Sequence, residues 1–411
     1  MDYEMVKNCM LKQIQNQMDY SKETTDQEIQ ELIDNVIEGD EKIKLWKVSE
    51  RRRLSRDLYS CFRGWDVLQE LLDKEDVTEI MVNGFDRIFI ERNGQLETCE
   101  KRFESEEKLR DVIGRMVAKC NRRVNDSSPI VDARLPSGER INVVLPPVAI
   151  GGAILTIRKF SREAMDVEGL VKLGALTEEM GSFLGNLVKA GYNILISGGT
   201  GSGKTTLLGA LSSFIPRIER VITIEDSAEL QMKYLPNLVR MEVRNANQDG
   251  SKEVTLRDLI KTALRMRPTR IVVGEVRGKE AVDLLQCLNT GHAGSMSTGH
   301  ANSAQDMLSR LEMMVLMGMD IPLQAVKAQI ASGIDILVHL GRLRDGSRKI
   351  LEISEVLGME EGEIKLHRLY AFRQKGIKDG KVVGNFERME SLQRCEKLKE
   401  AGISLPFGDV V

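Results

Sequence analysis

Apolar positions along the chain fall into successive regimes. Over residues 1–75 they recur at helical spacing in a polar background. Ile29, Leu32, Ile33, Val36 and Ile37 line one face behind Thr25-Asp-Gln-Glu28, and Gly39 ends the run. That opening is a capping box, in which the threonine and glutamate side chains satisfy each other's exposed amides. Asp66 stands where it would cap a further helix carrying Val67, Leu68, Leu71 and Leu72. The segment is thin in apolar residues, so it is expected to pack on something else. From residue 76 to 160 short apolar runs take over. Glu79-Ile-Met-Val-Asn83 and Arg87-Ile-Phe-Ile-Glu91 predict strands, with Asn83-Gly84 and Asn93-Gly94 as turns. Ser105 opens a helix with Leu109, Val112, Ile113, Met116 and Val117 on one face, and strand patterns follow at 130–135, 140–145 and 153–158. Together these predict an α+β domain. A polar linker, residues 161–175, comes next.

From Leu176 strand and helix alternate. A helix is expected over 177–190, strands at 194–196, 220–224, 270–274 and 336–340, and a helix opened by Thr255-Leu-Arg-Asp258 with Leu256, Leu259, Ile260, Ala263 and Leu264 inward. Near-continuous apolar strands separated by helices indicate a parallel sheet covered on both faces. Residues 176–345 therefore read as an α/β domain, and residues 346–411, with two β-like pieces and a charged last helix, as a small appendage.

Composition narrows the picture modestly. A chain of 411 residues has room for two or three domains. A formal net charge of -3 gives no overall attraction to nucleic acid or acidic lipid. The six cysteines show no short paired spacing, which argues against a zinc knuckle and fits a reducing compartment. The first residues lack a secretory pattern and no apolar run reaches bilayer length, so a cytoplasmic location is expected, with any membrane association through a partner or a surface.

The chemistry centres on Asn193-Ile-Leu-Ile-Ser-Gly-Gly-Thr-Gly-Ser-Gly-Lys-Thr-Thr206. An apolar strand, a glycine-rich turn and an apolar helix follow in order, and Gly198, Gly203, Lys204 and Thr205 have the spacing of a phosphate-binding loop. Gly198, Gly199, Thr200, Gly201, Ser202 and Gly203 would wrap backbone N–H groups around an anion at the helix N-terminus, with Thr206 in the first helical turn. Lys204 would reach the β- and γ-phosphates of ATP, and Thr205 would ligate magnesium. Ile271-Val-Val-Gly-Glu275 is an apolar strand ending in a carboxylate suited to the metal shell or to polarising water. Thr223-Ile-Glu-Asp-Ser-Ala-Glu229 adds three acids at the end of another strand, and the sequence does not decide which acts as base. Residues 290–302 hold His292 and His300, for which imidazoles contacting phosphate oxygens fit better than a metal pair, because no further ligand lies close by. Arg134, Arg140 and Arg158 of the preceding domain offer guanidinium forks for phosphate, though by spacing alone such arginines are more often in surface ion pairs. Basic residues 261–270 have no interleaved aromatics, against a single-strand nucleic-acid channel.

The order of these four blocks resembles the type II/type IV secretion ATPase superfamily, with its phosphate loop, acidic box, glutamate-ended Walker B strand and histidine box. It looks most like the tight-adherence pilus ATPases, the CpaF-type proteins. Val77-Thr-Glu-Ile-Met-Val-Asn-Gly84, Ser128-Pro-Ile-Val-Asp-Ala-Arg-Leu-Pro136 and Thr262-Ala-Leu-Arg-Met-Arg-Pro268 are similar to that family as well. The resemblance implies a RecA-like P-loop core, a homo-hexameric ring, ATP and Mg2+ as ligands, and work on an inner-membrane platform protein of a pilus or secretion machine. It also implies that Arg140 and Arg158 reach the γ-phosphate, that Glu229 and Glu275 position metal and water, and that His300 senses the γ-phosphate. Thr269 and Ala293 stand where the family often has acids; neither change removes a proposed ligand. A nucleic-acid-translocating RecA-like motor, a conjugation-type secretion ATPase and a non-enzymatic ring remain open as other readings. No direct nucleic-acid contact is expected.

Overall fold

The computed structural model describes residues 3–18, 24–62, 64–92, 94–159, 165–232, 234–244 and 252–404. The chain divides into two compact units, Met1–Ser161 and Arg162–Val411.

In the first unit, helices α1 (Tyr3–Gln17), α2 (Asp26–Gly39), α3 (Glu41–Lys44), α4 (Val48–Phe62) and α5 (Val67–Asp73) precede a sheet. Both limbs of the Thr25–Glu28 capping box form. The predicted face of α2 packs with Val6, Met10 and Ile14 of α1 and Leu54 and Leu58 of α4. The helical segment thus carries an apolar core of its own, completed by the i, i+4 spacing of α1. Asp66 does not cap α5. Its backbone sits at φ 53°, it makes no cap hydrogen bond, and its carboxylate instead accepts from the Cys61 thiol at 3.7 Å. Burial, with Asp66 adding to it, pushes that thiol up to about 12. The sheet holds β1 (Val77–Asn83), β2 (Ile88–Arg92), β3 (Gln95–Cys99), β4 (Ile130–Arg134), β5 (Arg140–Val144) and β6 (Ile154–Arg158), in the order β3-β2-β1-β6-β5-β4 with antiparallel neighbours. Between β3 and β4, α6 (Glu106–Lys119) buries Leu109, Val112, Ile113, Met116 and Val117 with the sheet's apolar residues.

The second unit opens with α7 (Val167–Lys172), capped by Asp166, so part of the stretch read as a linker is helical. Then come α8 (Glu178–Lys189), β7 (Ile194–Gly198), α9 (Lys204–Ser212), β8 (Val221–Glu225), β9 (Leu238–Glu242), α10 (Leu256–Ala263), β10 (Arg270–Val276), α11 (Ala281–Asn289), β11 (Met296–Gly299), α12 (Ala304–Gly318), α13 (Leu323–Gly333), β12 (Ile336–Arg342), β13 (Arg348–Glu360), β14 (Glu363–Lys378), β15 (Lys381–Arg388) and α14 (Glu396–Glu400). Strands β12-β7-β11-β10-β8-β9 are parallel neighbours, as in a RecA-like core. Alternate strand residues feed two apolar clusters: Ile194 and Ile196 pack with α8 and α9, Leu195 with α11, α12 and α13. Residues read as a separate appendage are continuous with this sheet: β13, β14 and β15 extend it antiparallel from the outer edge of β12. A tight turn returns the chain directly onto that edge, whose peptide groups need partners.

The entry to β7 is tied down by Asn193. Its Nδ2 donates to the carbonyls of Gly333 (2.8 Å) and Leu288 (3.3 Å), and its Oδ1 accepts from the amides of Gly294 (2.9 Å) and Ser295 (3.1 Å). Asn193→Ala leaves these buried peptide groups without partners and is expected to cost about 3 kcal/mol of stability. Chemical denaturation measures it; a loss below about 1 kcal/mol would refute the role given to this side chain.

Candidate nucleotide site

The phosphate loop spans the end of β7 to the start of α9. At Gly198 a Cβ would lie 2.5 Å from the Leu340 carbonyl oxygen and 2.7 Å from Ser202 Oγ, so only glycine fits. Gly201, at φ 68°, turns the crest in the left-handed region. Ser202 Oγ donates to the Gly199 carbonyl at 2.9 Å and holds the loop's shape. Gly203 precedes α9 without a side-chain cap, so the first amides of the helix are left for an anion.

Lys204 is buried beneath the crest. Its ammonium donates to the carbonyls of Gly198 (3.1 Å) and Gly199 (3.0 Å) and contacts His300 Nδ1 at 3.3 Å. An ammonium has three protons, and each has a partner here. Burial lowers the Lys204 pKa, and the nearby Glu275 carboxylate opposes that shift.

His300 follows β11 directly, and Glu275 lies near the end of β10. The register pairs Val276 with Gly299, which sets the two side chains beside each other. Lysine can only donate, so Nδ1 is the acceptor and the ring proton sits on Nε2, on the side of Glu275. Nε2 is 2.7 Å from Glu275 Oε1, but the contact is poorly angled, and that oxygen is left buried without a well-directed donor. The other oxygen, Oε2, accepts from Arg277 at 2.6 Å, and Arg277 lies 3.5 Å from Asp226. Burial depresses the His300 pKa, with Glu275 acting against it, so the ring is neutral at neutral pH. The bond to Glu275 raises Arg277. A carboxylate oxygen without a directed donor, together with the half-buried hydroxyl-bearing Thr205 that follows Lys204, is a hard-oxygen donor set that fits magnesium.

The acidic block turns on a residue not singled out from the sequence. Glu225, the buried last residue of β8, accepts from the amides of Glu229 (2.7 Å) and Leu230 (2.8 Å). Its carboxylate therefore shapes the segment that carries Glu229, and burial raises its pKa. Glu229 is half-buried and, with Asp226, acts electrostatically on Arg277. The sequence pattern does not single out Arg277 either: it lies just past the end of β10, two positions after Glu275.

The two histidines part company. His300 joins Lys204 and Glu275, whereas His292 contacts the Cys287 carbonyl at 3.3 Å. β11 runs between them, so His292 lies at the opposite end of the sheet from the loop, and the expectation of a phosphate contact is corrected for it. Arg140 and Arg158 belong to the first unit. They face each other across β5 and β6, with Arg134 opposite Arg140 on β4. Arg140 lies 3.8 Å from Asp132 and Arg158 lies 3.6 Å from Glu79.

The depressed pKa of His300 has a linked effect on stability. The unfolded ring titrates at its ordinary 6.5 and the folded ring lower, so this contribution is present above pH 6.5 and is lost as pH falls through the folded value. His300→Gln should show a shallower fall in stability than the parent between about pH 7 and pH 5. Parallel denaturation curves across that range would remove the effect assigned to this ring.

A family model described as "Type II/IV secretion system protein" matches residues 63–390. A putative conjugal transfer protein of Mycobacterium tuberculosis (strain CDC 1551 / Oshkosh) is 37% identical over 316 residues, covering 75% of this chain and 89% of that protein. The type IV secretion system protein VirB11 of Brucella suis biovar 1 (strain 1330) is 34% identical over 317 residues, covering 70% of this chain and 87% of that one. The solved structure of the Legionella pneumophila ATPase DotB gives a TM-score of 0.51 at 20% identity, over 71% of this chain and 79% of that chain, a likeness of fold. The matched span takes in the phosphate loop, the acidic block, Glu275 and His300 together, and by that match this chain belongs to the type II/IV secretion system protein family.

Proposed function

We propose that this chain is a motor ATPase that hydrolyses ATP and couples the reaction to pilus assembly or to type II/IV-like protein secretion. The observation that carries the reading is the continuous contact Lys204–His300–Glu275–Arg277 set directly beneath a phosphate loop. A triphosphate entering the loop competes for the Lys204 protons now directed at Gly198, Gly199 and His300. Its γ-phosphate thereby changes the partner of His300 Nδ1, which makes His300 the group that reports whether the terminal phosphate is present. Glu275 and Glu229 are the carboxylates that orient the attacking water. Magnesium, when bound through Thr205 and Glu275, would neutralise charge on the β- and γ-phosphate oxygens. Arg140 and Arg158 supply positive charge to the γ-phosphate, as arginines do in related phosphoryl-transfer sites.

The wider reading follows the family. Six copies form a ring in the cytoplasm, and the ring acts on an inner-membrane platform protein of a tight-adherence-like pilus or secretion machine. Among the described residues no helix is long and apolar enough to cross a membrane, which fits attachment through that partner. A conjugation-type secretion ATPase is the second reading, favoured by relatives whose names refer to conjugal transfer. Stimulation of hydrolysis by DNA would decide for it.

Phosphate release from the purified full chain tests the site. Lys204→Ala should lower turnover by about a hundredfold or more, and Glu275→Gln should do the same while nucleotide stays bound. Undiminished turnover in either variant would sink the assignment. Arg140→Ala and Arg158→Ala should each lower turnover about tenfold or more with nucleotide affinity retained, and unchanged turnover in both would remove the arginines from the mechanism.

A further inference from the structure

Within the second unit, the site groups beside Lys204 come from one side of β7. β7 stands between β11 and β12, and Glu275, Arg277 and His300 all come from the β11 side. The β12 side is not neutral. Arg342 ends β12 and Arg348 begins β13, and the register sets them directly opposite each other. Arg348 Nε donates to the carbonyl of Gly201, the crest of the loop, at 2.8 Å. A Cβ on Gly201 would lie 3.6 Å from an Arg342 guanidinium nitrogen, and one on Gly203 would lie 3.5 Å from Arg348 Cδ. Two guanidinium groups therefore meet at one loop, both on exposed residues.

The bond to Gly201 uses one of the five N–H donors of Arg348, and a guanidinium fork suits phosphate oxygens. We propose that Arg342 and Arg348 form a second cationic contact for the nucleotide, holding its α- and β-phosphates from the side opposite Glu275. The proposal rests on the reading of the loop as a nucleotide site. The γ-phosphate belongs to the Lys204–His300–Glu275 side, so the arginine pair binds ATP and ADP alike. Arg348 has a second role as a positioning residue, because its bond to Gly201 fixes the crest that presents the loop amides.

Titration of the full chain with fluorescent ADP and ATP analogues tests this. Arg348→Gln and Arg342→Gln should each weaken both nucleotides by about tenfold and by the same factor. Steady-state hydrolysis should show KM raised with kcat within about twofold, the signature of contacts made equally in the ground and transition states. Arg348→Lys keeps a donor for Gly201 but not the fork, and should recover only part of the affinity. Melting without nucleotide should match the parent, so that a lost fold is not mistaken for a lost contact. Affinities within about twofold of the parent in both glutamine variants, or a loss confined to ATP, would overturn the proposal. A parent chain that binds neither analogue would instead overturn the nucleotide reading itself.

Discussion

A buried ammonium needs acceptors, and the centre of the second unit is arranged to give Lys204 three. Two are carbonyls of its own loop, which glycine at 198 and 201 allows the chain to fold back and offer. The third is a histidine nearly a hundred residues away in sequence, delivered by the end of a four-residue strand. Removing any of these would leave a desolvated charge, a large penalty compared with the small net stability of a domain. The parallel pairing of β7 with β11 brings the groups together, so sheet topology and loop electrostatics form one constraint.

How far the sequence disclosed this depends on the range of the interactions. Local signals were legible: the capping boxes at Thr25 and Thr255, the helix faces of α2 and α6, and the strand–loop–helix around Lys204 all depend on residues a few positions apart. Asp66 shows the limit, since a side chain that could cap a helix found a thiol partner instead. β11 was hidden by its composition. Met-Ser-Thr-Gly carries little of the apolar patterning that marks a buried strand, yet all four residues are buried between two parallel neighbours that satisfy their peptide groups. Without that strand His292 and His300 read as equivalent, and with it they lie at opposite ends of the sheet. Arg277, Arg342 and Arg348 were beyond reach for another reason: a surface arginine has no pattern, and only register shows what it faces.

The first unit shows the same rule. Arg134, Arg140 and Arg158 are scattered over 25 positions but become a row across three adjacent antiparallel strands, with Asp132 and Glu79 beside it. Half-exposed pairs of this kind are weakly bound, so their arginines can exchange a carboxylate for a stronger anion at little cost.

The turn from Arg342 to Arg348 also has a mechanical meaning. One of its flanks is bonded to the crest of the phosphate loop, and its apex, through Asp345, holds the amide of Val382 near the end of the long β14–β15 hairpin. A seven-residue link therefore joins the point where phosphate would press to the outermost structure of the sheet. Two hydrogen bonds thus connect the crest to the hairpin, a route by which a change at the loop can be felt at the sheet's far edge.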